Sequence, residues 1–180
     1  MLDKSCALTQ KFCMTRTPVA LDEFDHRLLE LLQRDSAATL TALGEAVGLS
    51  ASAVQRRITR YRRDGLMREV AVLDSTLLGT TTLATVLVAM ERESAKLHAA
   101  FHARMRAAPE VQQCYTLAGE WDYLVILCTT GVAHCREVAD RLFMDEGNIK
   151  RYETRMVFDV VKAGLQVPTR VPVRRAPRKR

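Results

Sequence analysis

S-A-S-A-V-Q-R-R-I-T-R-Y-R-R-D, residues 50–64, divides at about 100° per residue into two chemically opposite faces. Ala51, Val54, Ile58 and Tyr61 fall on one stripe. Ser52, Arg56, Thr59, Arg60 and Arg63 fall on the other, bordered by Gln55, Arg57 and Arg62. The apolar stripe can dock on a core while guanidinium, amide and hydroxyl groups face outward as donors for phosphates and base edges. Charge runs on solvated surface helices are common, so the neighbouring sequence decides the reading.

Upstream, Leu21, Phe24, Leu28, Leu31 and Leu32 recur at helical spacing within a helix expected over Leu21–Arg34, with Asp22 able to cap its first turn. A second short helix is expected over Leu40–Val47, with Thr39 as N-cap and Leu40, Leu43, Ala46 and Val47 inward. It stops at Gly48, the residue type that best tolerates the left-handed conformation past a helix end. Leu49 fills the corner and Ser50 caps the basic helix. Three helices with a tight glycine turn between the last two make a helix-turn-helix. Leu66–Leu73 then alternates around Arg68 and Glu69 as a short strand or wing.

From Thr81 onward the pattern changes. Thr81–Met90 is rich in β-branched and apolar residues and reads as a strand. Ser94 can cap a helix through Ala107, which Pro109 stops; Val111–Ala118 is a second strand, and Y-L-V-I-L-C, residues 123–128, a third, apolar enough for burial on both sides. A helix over Val132–Phe143 and an alternating strand over Tyr152–Val161 complete the order β-α-β-β-α-β. The predicted class is α+β: an N-terminal winged helix-turn-helix followed by a ferredoxin-like domain, a four-stranded antiparallel sheet with two helices on one side. The bare sheet face needs a cover, which a second copy would supply, so at least a homodimer is expected.

The chain of 180 residues, 48% apolar and 27% charged, is long enough for two small globular domains. Its net charge of +6 is unevenly placed: residues 1–20 carry +2, 21–75 carry −1, 76–163 carry −1 and 164–180 carry +6. Basicity in the helical part is therefore local, six arginines against one aspartate between Arg56 and Arg68. Arginine suits planar, bidentate contacts to phosphate and guanine. The expected organisation is a flexible leader at 1–20, a helix-turn-helix DNA-binding domain at 21–75, a ferredoxin-like oligomerisation domain at 76–163 and a basic disordered tail at 164–180. No stretch approaches the ~20 apolar residues that span a bilayer, and the first residues lack the apolar core of a secretion signal, so a cytoplasmic location without membrane contact is expected. Cys6, Cys13, Cys114, Cys128 and Cys135 show no C-x-x-C spacing and no histidines at ligand spacing, so reduced thiols, no metal and no cofactor are expected.

L-D-x-x-D-x-x-L-L at 21–29, V-G-L-S at 47–50, V-x-R-R-I at 54–58 and G-E-W-D at 119–122, in that order, resemble the Lrp/AsnC (leucine-responsive, feast/famine) family over roughly Leu21–Lys162. The resemblance implies a sequence-specific transcriptional regulator that binds double-stranded DNA, is modulated by an amino acid or related effector, and forms dimers that assemble into tetramers or octamers. Two departures are visible: Ala42 stands where the family usually has an acidic residue, leaving the second helix without a capping box, and residues 146–150 lack the usual proline before the last strand. The family analogy places Gly119, Glu120, Trp121 and Asp122 at the effector, with Asp122 or Glu120 accepting from its ammonium, backbone N–H groups holding its carboxylate, and Thr154 of a partner subunit adding a hydroxyl. The DNA-contacting set is Ser52, Gln55, Arg56, Thr59, Arg60 and Arg63, with Arg56 and Arg60 foremost. Siroheme decarboxylases resemble the same two-domain family, but His26, His98, His102 and His134 are scattered here and the basic helix face is intact, so no enzymatic activity is expected. A ligand-independent architectural DNA-binding protein is the other alternative.

Overall fold

The computed structural model describes residues 18–74, 77–144 and 147–170. These form two compact units. One contains the described residues up to Val72 together with those from Ala163 onward, and the other runs from Leu73 to Lys162. The leader cysteines Cys6 and Cys13 lie outside the described residues.

The first unit is a three-helix head: α1 (Glu23–Leu32), α2 (Leu40–Val47) and α3 (Ala51–Arg63). Leu28, Leu29 and Leu32 of α1 meet Leu43 and Val47 of α2 and Val54, Ile58 and Tyr61 of α3 in one buried cluster. Two inward assignments change. Phe24 is half-exposed and Ala46 exposed, while Leu29 and the carboxylate of Asp25 are buried. An acidic residue inside is tolerated because Arg57, Arg60 and Tyr61 of α3 satisfy it. Asp22 and Asp25 form a reciprocal capping box on α1, each side chain accepting from the other's backbone N–H at 2.8–3.0 Å. The α2 cap is one-sided: Thr39 Oγ1 accepts from Ala42 N–H at 3.2 Å. Gly48 adopts φ +79° at the end of α2, and Gly44 lets the turn approach so closely that an added Cβ would lie 2.4 Å from the Leu49 carbonyl oxygen. Leu66 lies in a bend and residues 67–73 adopt no regular secondary structure, so the expected wing is not formed as a ladder among the described residues.

The second unit contains β1 (Thr82–Met90), α4 (Ala95–Ala107), β2 (Val111–Thr116), β3 (Tyr123–Thr129), α5 (Val132–Ala139), a π-helical continuation (Asp140–Met144) and β4 (Ile149–Met156). The sheet is antiparallel throughout in the order β2-β3-β1-β4. Ala84, Val86 and Val88 of β1 and Tyr123, Val125 and Leu127 of β3 face Phe101, Met105, Val138, Leu142 and Phe143 of the helical layer. The opposite face pairs Leu83 with Cys128, Thr85 with Ile126 and Leu87 with Leu124, all only half-buried, so β3 is covered on one side and not on both. The last strand begins earlier and ends earlier than its alternation predicts. Its ladder closes at Ala84–Met156, and Phe158, Val160 and Val161 beyond it are exposed, with no partner strand among the described residues despite their apolar character.

Residues 164–170, expected as the start of an unstructured tail, are instead bonded along α1. Gln33 holds the Val167 backbone at both groups: Val167 N–H donates to Gln33 Oε1 at 2.7 Å and Gln33 Nε2 donates to the Val167 carbonyl at 3.1 Å. Gln166 Nε2 donates to the Gln33 carbonyl at 3.1 Å, and Arg170 reaches Glu23 at 2.8 Å and Glu30 at 3.4 Å. A polar backbone segment finds fixed partners here that composition alone does not announce.

Candidate nucleic-acid interface and effector loop

Ser50 caps α3 by accepting from Ala53 N–H at 3.3 Å, and the basic residues Arg60, Arg62 and Arg63 fall in the last turn, where they complement the helix dipole. Docking Val54, Ile58 and Tyr61 inward turns Ser52, Gln55, Arg56, Thr59 and Arg63 to solvent. Gln55 Nε2 donates to Thr59 Oγ1 at 3.2 Å, so these two exposed side chains stand side by side. Arg56 makes no ion pair among the described residues, whereas Arg63 pairs with Asp64 at 2.8 Å and Arg62 with Glu69 at 2.7 Å.

Arg60 departs from the expected outward set. Its Nη2 lies 2.7 Å from Asp25 Oδ2, while Arg57 Nη1 lies 2.5 Å from Asp25 Oδ1 and Arg57 Nη2 2.9 Å from Asp22 Oδ2. Tyr61 Oη donates to Asp25 Oδ1 at 2.5 Å. Burial pushes the Asp25 carboxyl up, but hydrogen bonds from Tyr61, the Asp22 backbone, Arg57 and Arg60 together hold it well below the usual carboxylate range. Burial and the same carboxylate push the Tyr61 phenol above its ordinary range. One acid inside α1 thus anchors three side chains of α3, and two of those are arginines that periodicity alone assigns to the surface and its border. The signal that could have found this is the i, i+3 pair Asp22/Asp25 opposite the i, i+3, i+4 set Arg57/Arg60/Tyr61.

In the second unit, the segment between β2 and β3 carries Gly119 at φ +143°, which favours glycine, with Gly119 and Glu120 exposed and Trp121 and Asp122 half-buried. Asp122 is tied into the fold: its Oδ2 accepts from Met90 N–H at 2.7 Å, its N–H donates to the Val88 carbonyl at 2.9 Å, and its carbonyl accepts from Leu117 N–H at 2.8 Å. One carboxylate oxygen is therefore engaged by β1. Arg151 of β4 pairs with Glu120 and places its guanidinium 4.3 Å from the centre of the Trp121 ring. The four loop residues are brought together, with Arg151 as a member that sequence reading missed. Thr154 is not among them in the single chain; it lies opposite Val86 and lines a depression of about 380 Å³ with Cys135, Ala139, Tyr152 and Met156.

Of the histidines, His98 and His102 flank Tyr123 and His98 also meets Glu93 at 3.0 Å, while His134 bonds Thr130. His26 belongs to the head. No cluster of metal-ligating side chains occurs among the described residues, and no helix among them is long and apolar enough to cross a membrane. Cys135 is buried, and burial pushes the Cys114 thiol up to about 11, so neither is a ready thiolate.

A capped three-helix head with an outward basic face, joined in one chain to a four-stranded sensor-type α+β unit, defines a two-domain DNA-binding regulator. Comparison with known proteins agrees: residues 21–62 match the AsnC-type helix-turn-helix domain and residues 83–167 the Lrp/AsnC ligand binding domain. The chain belongs to the Lrp/AsnC family of transcriptional regulators. It is 32% identical to an HTH-type transcriptional regulator of Sinorhizobium fredii over 84% of this chain and 90% of that one. It is 30% identical to the DNA-binding transcriptional activator DecR of Escherichia coli over 82% of this chain and 98% of that one. Among solved structures, a transcriptional regulator of Neisseria meningitidis in complex with L-methionine superposes with a TM-score of 0.73 at 28% identity, covering 83% of this chain and 97% of that one. The chain is a DNA-binding transcriptional regulator that carries the family's ligand binding domain.

Proposed function

We propose that two copies of the chain pair through the half-buried sheet face of Leu83, Thr85, Leu87, Leu124 and Ile126 and present two α3 helices to successive major grooves. Half-sites then lie one helical turn, or a multiple of it, apart on a pseudo-palindromic operator. Arg56 is the principal base-edge reader, Ser52, Gln55 and Thr59 supply adaptable hydrogen bonds, and Arg63 contacts phosphate. Arg60 acts from behind, through Asp25, by fixing how α3 is held. The observation that carries this reading is the exposed guanidinium of Arg56, without an ion-pair partner among the described residues, beside the hydrogen-bonded pair Gln55–Thr59.

The effector reading rests on Gly119, Glu120, Trp121 and Asp122, and the effector is a free amino acid. Glu120 and the remaining oxygen of Asp122 accept from its ammonium, and exposed loop N–H groups face its carboxylate. Thr154 enters only from a second copy. The L-methionine complex of the Neisseria relative supports the ligand class. Selection of operator fragments by the full chain, followed by mobility shifts with Arg56→Ala, tests the first part. A 10- to 100-fold loss on the selected site with little loss on unrelated duplex is expected. Equal affinity of Arg56→Ala and the parent for every duplex removes Arg56 from the interface.

A further inference from the structure

We propose that Arg151 makes the loop at residues 119–122 selective for a zwitterion: the guanidinium that pairs with Glu120 passes to the α-carboxylate of the effector, while the effector's α-ammonium takes its place at Glu120. This rests on the reading of that loop as the effector site, and it adds a side chain of β4 to the loop N–H groups at the carboxylate. The ligand class narrows to α-amino acids with both charged groups free.

The position of Arg151 follows from the ladder. β4 pairs with β1 at Ala89–Arg151 and then at Met90–Ile149, so Lys150 is an extra residue and the strand bulges there. Bulges re-aim side chains and recur beside binding sites. At the same point Met90 N–H donates to Asp122 Oδ2 at 2.7 Å, which ties the loop to β1. Alternation puts Arg151, Glu153 and Arg155 on one face of β4, and Glu153 is already held by Arg155 at 2.8 Å. Arg151 instead reaches Glu120, with its guanidinium 4.3 Å from the centre of the Trp121 ring. A cation held against an aromatic face is pre-oriented, so less freedom is lost when its partner changes.

The charges of this group favour exchange over simple addition. Glu120, Asp122 and Arg151 sum to −1, and a zwitterion leaves that sum unchanged. An amine without a carboxylate displaces Arg151 from Glu120 and leaves the guanidinium without an acceptor. A carboxylate without an ammonium meets two acids. A molecule carrying both charges on one carbon gives every group a partner. The pair is also easily opened: Glu120 is 71% and Arg151 49% exposed, and ion pairs at such exposure contribute little to stability. The planar fork of arginine then matches the incoming carboxylate through two parallel hydrogen bonds, a geometry that a lysine ammonium lacks.

The test uses the full chain and measures affinity by calorimetry, because replacing Arg151 itself alters Trp121 emission. The probes are the twenty amino acids, and each that binds is compared with its own C-terminal amide, which keeps the ammonium and lacks the carboxylate. Titrations at about pH 6 keep the amine of the amide protonated. Parent, Arg151→Gln, Arg151→Lys and Asp122→Ala are compared, with thermal melts confirming that each is folded. The parent is expected to prefer acid over amide by roughly 10- to 100-fold, the range of a hydrogen-bonded contact to a charged group. Arg151→Gln is expected to bind the acid roughly 10- to 100-fold more weakly and the amide no more weakly, so that the preference vanishes, and Arg151→Lys to recover part of it. A merely structural role for Arg151 weakens acid and amide alike, and an acid-to-amide ratio that survives in Arg151→Gln overturns the proposal. So does a parent that binds the two equally. Failure of the underlying loop reading looks different: the parent binds no amino acid, or Asp122→Ala binds as the parent does, and either outcome overturns both.

Discussion

Tyr61 of α3 donates its phenolic hydrogen to Asp25 of α1 across 2.5 Å, and that same carboxylate receives Arg57 and Arg60. A single buried acid therefore sets the height and rotation of the basic helix relative to its support. Removing one member of a buried charged cluster leaves the others unsatisfied, which typically costs about 3–5 kcal/mol.

Asp25→Asn is accordingly expected to lower head stability by about 2–3 kcal/mol at pH 7, since the amide keeps some hydrogen bonding but loses the charge. The pH dependence has a definite sign. The folded carboxyl is held below its ordinary 3.8, so between the two values the unfolded chain binds more protons. The stabilisation is complete above about pH 5 and is lost as pH falls through 3.8 toward the folded value. Urea midpoints at pH 7 and pH 3 should show parent and variant converging in acid, and a gap that stays constant contradicts the ionised anchor.

Arg60→Ala and Arg56→Ala should separate cleanly. The first lowers the thermal midpoint and weakens all DNA sequences alike, because α3 is less firmly held. The second leaves the midpoint unchanged and alters base preference. Melts and mobility shifts on one operator and its point variants distinguish them, and altered base preference in Arg60→Ala would return that residue to the interface.

Two glycines four residues apart should respond differently. A methyl group at Gly44 meets the Leu49 carbonyl at 2.4 Å, and overpacking against backbone is expected to cost about 2–3 kcal/mol. Gly48→Ala meets nothing within 4 Å and bears only the left-handed backbone cost, about 1–2 kcal/mol. Chemical denaturation of the two variants checks the order.

Trp121 is the chain's single tryptophan and carries the Arg151 guanidinium on its ring. Titration of the full chain with L-methionine and other amino acids should change its emission if the loop is the effector site. Arg151→Ala should shift the emission of the free protein and change the apparent affinity. A DNA-binding response to an amino acid with no change in Trp121 emission would move the effector elsewhere.

The head was legible in outline because its cues are local: Asp22, Thr39 and Ser50 as caps, Gly48 as stop, and an apolar stripe on each helix. The element order of the second unit followed from alternation and length. The features that escaped are nonlocal. Arg60 sits on the polar arc of α3 by periodicity, and only the packing of Asp25 against it turns it inward. The end of β4 is set by where its pairing with β1 closes, at Ala84–Met156, which alternation in residues 152–161 does not encode. Arg151 joined the loop across two strands, and the Val167–Gln33 pairing links residues 134 positions apart.

The Asp25 anchor also bears on how errors of fit are shared. A reading helix bolted at three points along one side has little freedom to slide or roll when it meets a mismatched surface. Accommodation then falls on the nucleic acid, whose bending and groove width vary with the base steps between the contacted positions. Spacer sequence that no side chain touches would consequently count in target choice, with stiff spacers rejected and pliant ones accepted.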